Sequence, residues 1–211
     1  MLTLFDCATA PSPRRARILL AEKGVSHETV QVDLRRGEQF GDAFRAINPE
    51  CTVPALRLDS GLVLTDNAAI IAYLEARFPQ PPLLGTLPEE KAAIASWQWR
   101  AEFEGLLAVA EALRNGSAAM ANRALPGPVD YPQIPELAQR GIARIQQFFR
   151  VLDARLALHD YVSGGAFSVA DITAVVAVDF ARIVKQKPDE ERHANLLRWR
   201  ARMAERPSMG L

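Results

Sequence analysis

The sequence predicts two domains of different class, an α/β domain followed by an all-α helical bundle. Three observations carry that expectation. Residues 1–78 alternate short β-type runs with amphipathic helical runs, a proline-rich stretch "PQPPLLG" fills residues 79–85, and residues 86–211 keep helical spacing almost throughout. Repeated proline continues neither a helix nor a central strand, so residues 79–85 read as a linker.

The elements of the first domain follow in order. "LTLF" (Leu2–Phe5) is a short apolar strand. "PSPRRARILLAEKG" places Ser12 as an N-cap, Pro13 at the first helical position and Gly24 just past the helix end. "ETVQVDL" (Glu28–Leu34) alternates with period two and is a strand. A short helix is expected between Gln39 and Ile47, with Gly41 weakening it. "PALRL" and "LVL" flank the hairpin turn Asp59-Ser60-Gly61. Thr65 or Asp66 then caps a helix through Phe78, with Ile70, Ile71, Leu74 and Phe78 on one face. The order β-α-β-α-β-β-α implies parallel crossovers and then an antiparallel pair.

In the second domain, Thr86-x-x-Glu89 reads as a capping box for a helix reaching about Leu113. Ala138, Ile142, Ile145, Phe149, Leu152 and Leu156 form one packed helical face. Ser168-Val169-Ala170-Asp171 is a further capping box, with Phe167 and Ile172 placed as a hydrophobic staple. The helix it starts is apolar on nearly every side until Asp179, which predicts the buried centre of the domain. A last helix is expected from about Pro188 to Glu205. Asn115 to Ile134, rich in Gly and Pro, is a long irregular connection, and such connections are often functional loops or lids.

Composition narrows the function classes. Of 211 residues, 49% are hydrophobic and 24% charged, the balance of an ordinary soluble globule. Lys+Arg and Asp+Glu both number 25, so no basic excess invites nucleic acid or an acidic membrane, and neither is expected as a partner. "MLTLFDCATA" lacks the pattern of a signal peptide, and the apolar run Ile172–Val178 is too short to span a bilayer. Two cysteines, Cys7 and Cys51, make no disulfide framework and suit a reducing cytoplasm. His27, His159 and His193 have no ligand spacing, so no metal is expected.

The stretch "ECTVPAL" (Glu50–Leu56) poses a backbone question. Pro54 has no N–H to give a sheet ladder, and it forces Val53 into extended geometry. A trans proline opening an edge strand satisfies this. So does a cis bond that turns the N–H and C=O of Val53 outward.

In order and spacing, the chain resembles a cytosolic glutathione S-transferase over its whole length. "NPECTVPAL" resembles that family's Asn-Pro-x-Gly-x-Val-Pro-x-Leu segment, "LVLTDNAAIIAYLEARFP" its Leu-x-Glu-Ser-x-Ala-Ile-x-x-Tyr-Leu block, and "FSVADIT" the capping box of its central helix. "YVSGGAFSVADITAVVAVDFARIVK" and "APSPRRARILLAEKG" are most similar to an atypical bacterial and fungal subgroup lacking the usual Ser, Tyr or Cys at the active site. The resemblance implies a thioredoxin-like, glutathione-binding first domain over residues 1–78 and an all-helical second domain over residues 86–211.

The family's site residues carry over position by position. The resemblance implies a cis Val53–Pro54 bond, with the main chain of Val53 pairing with glutathione like an added strand. Asp66 and Asn67 stand where the family receives the γ-glutamyl end at a helix N-terminus. Gln39 and Thr52 stand where it contacts the glycyl end, and neither is charged. Ala10 occupies the usual Ser or Cys position and offers no hydrogen bond to sulfur. Thr9 and Ser12 are then the candidate donors to a glutathione thiolate, helped by the helix beginning near Pro13 and the nearby charge of Arg14. Ser12 serves equally as a plain helix cap. Cys7 is the rival nucleophile. Leu106, Ala110, Leu113, Arg114, Asn115 and Ser117 are the implied electrophile pocket, with the three polar residues able to hold a water.

The resulting expectation is a detoxifying transferase that joins glutathione, as co-substrate, to a small hydrophobic electrophile. It would work as a homodimer, with Trp97, Trp99 and Phe103 as contact or core residues. Two other readings stand beside it. One is a non-catalytic binding or interaction protein on the same fold, favoured by Ala10. The other is a Cys7-dependent glutathione thiol transferase or peroxidase, disfavoured by the absence of a Cys-x-x-Cys partner.

Overall fold

The structure, a computed structural model, describes residues 1–211. The chain forms two compact units. One comprises Met1–Pro81 with Leu125–Asp130 and Leu211, the other Pro82–Ala124 with Tyr131–Gly210.

The first unit is a four-stranded mixed sheet with helices. Strand β1 (Leu2–Asp6) leads to helix α1 (Pro11–Glu22) and strand β2 (His27–Gln31), which pairs parallel to β1. A single helical turn at Glu38–Phe40 precedes the one-turn helix α2 (Asp42–Arg45), so the helix expected after Gln39 is split at Gly41. Strands β3 (Ala55–Arg57) and β4 (Val63–Leu64) form the hairpin, and the sheet order is β2-β1-β3-β4 with β3 antiparallel to β1. Helix α3 (Asn67–Arg77) closes the unit. Every residue of β1 is buried, as the central position of that strand requires. Phe5, Val32, Phe44 and Ala55 form a core cluster, and Val53 packs against it. Lys23 is buried too, and its ammonium is fully employed on the carbonyls of Phe78 and Pro81 and the carboxylate of Glu75.

The second unit is helical. Helix α4 (Pro88–Arg100) passes through a wider π-type turn at Ala101–Leu106 into α5 (Leu107–Gly116), followed by α6 (Pro135–Leu156), α7 (Val169–Phe180) and α8 (Ala194–Ala204). The capping carboxylate of α4 is Glu90 rather than Glu89. Helix α4 starts at Pro88 with Leu87 as N-cap, and Glu90 accepts from the N–H of both Thr86 and Leu87. Residues Val169–Val178 are all buried, as the apolar run predicts. Helices α5 and α6 approach closely because Gly141 has no side chain: a Cβ there would lie 2.7 Å from the amide nitrogen of Ala112. The last helix is shorter than its expected span of residues 188–205, because His193 caps a turn before it; its Nδ1 accepts from the N–H of Asp189. No helix is long and apolar enough to cross a membrane.

Candidate functional site

The loop after β1 is built around a buried carboxylate. Asp6 is 1% exposed at the strand end. Its Oδ1 receives Nη1 of Arg17 at 2.5 Å, and its Oδ2 receives Nε2 of Gln31 at 2.8 Å. The same two side chains hold the loop backbone. Arg17 donates to the carbonyls of Cys7 and Ala8, and Gln31 Oε1 accepts from the N–H of Ala8. Thr9, Ala10 and Ser12 therefore follow a peptide segment that is tied down on both sides. Arg17 is thus no mere solvated helix charge. The signal for this brace is present in the sequence: a carboxylate that ends an otherwise apolar, central strand needs a partner.

Helix α1 begins two residues earlier than the capping pattern suggests. Ala10 is the N-cap, extended at φ −91° and ψ 140°, with no side-chain cap. Pro11 takes the first helical position, so Ser12 lies inside the first turn and its hydroxyl is free of capping duty. Two prolines reduce what this helix end can offer. Pro11 and Pro13 have no N–H, and Arg14 N already bonds the Ala10 carbonyl, so Ser12 alone presents an unclaimed amide there. Thr9 is exposed, and its Oγ1 lies 3.7 Å from Sγ of Cys7. Cys7 is buried and unoxidised.

The "ECTVPAL" stretch places Cys51, buried, at φ 55°, a left-handed backbone position. This is where the family segment has glycine, and glycine occupies such a conformation without a Cβ clash. The Val53–Pro54 bond is cis. The side chain of Val53 packs on the core, and its N–H and C=O make no hydrogen bond inside the chain. Thr52 is held: Nδ2 of the buried Asn48 donates to its carbonyl at 2.8 Å and to its hydroxyl at 3.1 Å. Gln39 is 2% exposed, and its buried Oε1 has no partner in the chain.

Helix α3 starts in the open. Exposed Asp66 caps it, with Oδ1 accepting from Ala69 N at 2.8 Å, and Ile70 N bonds the Asp66 carbonyl. The amides of Asn67 and Ala68 are left without partners in the chain. Asn67 is buried, and its Nδ2 donates to the carbonyl of Ser12 at 3.1 Å, which draws the starts of α1 and α3 together. That amide is therefore partly committed to the protein itself.

In the second unit, the residues expected to line an electrophile pocket divide into two groups. Leu106 is buried, and Ala110 and Leu113 are partly buried along α5. Arg114, Asn115 and Ser117 anchor the long loop instead. Nη1 of Arg114 donates to the Arg123 carbonyl, Asn115 Oδ1 accepts from Ile134 N, and Gln133 Nε2 donates to the carbonyls of Arg114 and Ser117. Gln133 is a residue that local pattern does not single out, since both its partners lie across the loop.

The chain is similar in sequence and fold to known proteins. Residues 9–77 match the family model described as glutathione S-transferase, N-terminal domain, and residues 135–202 match glutathione S-transferase, C-terminal domain. Glutathione S-transferase 2 of Saccharomyces cerevisiae is 35% identical over 99% of this chain and 88% of its own. The crystal structure of a glutathione S-transferase domain-containing protein from Marinobacter aquaeolei superposes with a TM-score of 0.89 at 35% identity, covering 98% of this chain and 99% of the other. The structure of Gtt2 from Saccharomyces cerevisiae superposes with a TM-score of 0.88 at 34% identity, covering 99% and 98%.

Proposed function

The chain belongs to the glutathione S-transferase family and is a glutathione transferase, and on that premise we propose that it joins the thiol of glutathione to a small hydrophobic electrophile bearing a leaving group. The observation that carries this reading is the unclaimed main chain of Val53 together with the open amides of Asn67 and Ala68. An extended tripeptide needs a strand-like edge for its cysteinyl backbone and a helix N-terminus for its γ-glutamyl carboxylate. Asp66 meets the ammonium of the same γ-glutamyl end, while Gln39 and Thr52 face the glycyl end. The hydroxyl of Thr52 accepts from Asn48 and keeps its own O–H free to donate to the glycyl carboxylate. The unpartnered atom of Gln39 is Oε1, an acceptor, so Thr52 is the stronger of these two.

In the reaction the thiol loses its proton to water, the sulfur attacks the electrophilic carbon, a thioether forms, and the leaving group departs with the bonding electron pair. An ordinary thiol has a pKa of roughly 8.5, so the protein must favour the thiolate. Ser12 is placed for this by its uncapped hydroxyl and adjacent free amide, and Thr9 is the second donor. One pKa unit needs only ~1.4 kcal/mol, within reach of a helix end and one hydrogen bond. Cys7 is buried and near the Thr9 hydroxyl, which supports a packing role rather than attack on a disulfide. The free cysteines are in keeping with a reducing, cytoplasmic setting. Trp99 and Phe103 stack at 4.9 Å and, with Leu107, stand 45–57% exposed along one stretch of α4 and α5. That apolar stripe supports a homodimer.

Retention on immobilised glutathione followed by turnover of chlorodinitrobenzene is the expected outcome. Absence of both would overturn the tripeptide groove. Sedimentation across micromolar loading should show a dimer, and Trp99→Glu should dissociate it; a wild-type monomer throughout would remove the dimer.

A further inference from the structure

We propose that the main-chain N–H of Thr9 is a donor to the glutathione thiolate, in place of the hydroxyl that Ala10 lacks, and that Asp6, Arg17 and Gln31 are the positioning residues that aim it. The inference rests on the transferase reading and lies wholly within the first unit. The segment after β1 is a tight turn. Ala10 N donates to the Cys7 carbonyl at 2.9 Å, so Ala8 and Thr9 take the two central positions. Ala8 is held at both ends from outside the turn. Its N–H donates to Oε1 of Gln31 at 3.1 Å, and its carbonyl accepts from Nη2 of Arg17 at 3.1 Å. The Ala8–Thr9 peptide is trans, so the N–H of Thr9 points away from the carbonyl that Arg17 holds. Thr9 is exposed, and that N–H has no partner in the chain. Turning the peptide to hide the donor would break the bond from Arg17.

The sheet register brings this turn to the tripeptide edge. Strand β3 runs antiparallel to β1 with Phe5 opposite Ala55, and the same register continued sets Asp6 opposite Pro54 and Cys7 opposite Val53. A cysteinyl residue laid along the free main chain of Val53 therefore has its sulfur in the neighbourhood of the Cys7–Ala10 turn. Nδ2 of Asn67, bonded to the Ser12 carbonyl at 3.1 Å, ties the start of α3 to the same corner.

The chemistry of the brace points to a use beyond packing. Asp6 ends a strand whose five residues are all buried, and an apolar side chain there would avoid desolvating a carboxylate. The chain instead buries an ion pair whose guanidinium also reaches the carbonyls of Cys7 and Ala8. Such a pair contributes little net stability over apolar packing, but its charged hydrogen bonds fix one geometry. A donor fixed before the charge develops favours the thiolate without reorganising.

The test reads the pKa of bound glutathione from the ultraviolet absorbance of its thiolate across pH, with affinity followed by calorimetry. Gln31 is exposed and uncharged, so Gln31→Leu releases the N–H of Ala8 and one oxygen of Asp6 without changing charge. It should raise the bound-thiol pKa by about half a pH unit, which is about threefold in thiolate at neutral pH. Conjugation should fall by the same factor and recover at high pH, with glutathione affinity unchanged. Asp6→Asn combined with Arg17→Met removes the whole brace as a charge-balanced pair and should raise the pKa by about one pH unit, or tenfold in thiolate. Thr9→Ala combined with Ser12→Ala removes both hydroxyls and no amide, so adding Gln31→Leu to that pair should raise the pKa again. An unchanged pKa in folded Gln31→Leu would overturn the proposal and leave the brace a structural anchor, with the transferase reading intact. A wild type that binds no glutathione would instead remove the reading on which the proposal rests.

Discussion

Two helix starts in this molecule look alike in sequence and differ in what they leave over. Asp66 caps α3 and Asp171 stands in the first turn of α7, and each carboxylate accepts backbone N–H near a helix N-terminus. At α7 the carboxylate itself is saturated. Asp171 is 0% exposed and receives the N–H of Val162, the N–H and hydroxyl of Ser168, and the indole Nε1 of Trp199. At α3 the matching is incomplete. Asp66 is exposed, accepts from Ala69 alone, and leaves two amides of the first turn unclaimed. A buried carboxylate saturated by its own chain is architecture, whereas an exposed one beside unclaimed amides can receive a ligand.

If the α7 start is architecture, its loss should be the most damaging change. Asp171→Ala leaves buried donors on Val162, Ser168 and Trp199 unpaired and should cost about 4 kcal/mol or more in urea unfolding. Asp171 also gives a pH signature. Burial first raises its pKa, against the hydrogen bonds from Val162, Ser168 and Trp199, from 3.8 to about 6. A folded-state value above the unfolded one means that the native protein holds the proton more tightly. That contribution is full below about pH 4 and is lost as pH rises through about 6, a difference of ~3 kcal/mol. Unfolding of Asp171→Asn should lack this slope, and an equal slope in both proteins would assign it elsewhere.

The α3 start should respond in binding rather than in stability. Asp66→Asn keeps a good N-cap and removes only the charge, so stability should stay within about 0.5 kcal/mol. Affinity for glutathione, followed by calorimetry, should fall about tenfold, or ~1.4 kcal/mol. Loss of stability with unchanged affinity would make α3 resemble α7. The start of α1 should give the smallest effects. Ser12→Ala and Thr9→Ala should each lower conjugation several-fold, or about 1 kcal/mol, with little change in glutathione affinity, because the other hydroxyl and the helix end still favour the thiolate. Cys7→Ala should alter stability more than turnover, and complete loss of turnover in a folded Cys7→Ala protein would promote Cys7 to nucleophile.

Some of these distinctions are legible in short stretches of sequence. The capping residue Ser168 and the buried run at Val169–Val178 follow from local pattern, because caps and amphipathic faces act within a few residues. The cis bond at Val53–Pro54 does not, since a trans proline satisfies the same local pattern and only the family resemblance implies cis. The start of α1 is displaced by two residues from its expected place because "PSP" offers two prolines compatible with the first turn, and sequence cannot choose between them. Glu89 and Glu90 present the same ambiguity at α4. The brace of Asp6, Arg17 and Gln31 joins residues up to 25 positions apart and has no local signature beyond a charge at a strand end.

Local chemistry in the chain is enough to specify the two-part architecture, the order of its elements and the polar residues grouped near the starts of α1 and α3. Periodicity, proline and capping residues operate over a few peptide units, so they survive without knowledge of neighbours. Whether a given carboxylate or guanidinium is engaged by the protein or left for a ligand depends on partners distant in sequence. Asp6, Asp171 and Glu111 are engaged in that way, while Asp66 keeps bonding capacity free. Folding decides this, because the cost of a desolvated charge is set by what stands within a few ångströms of it.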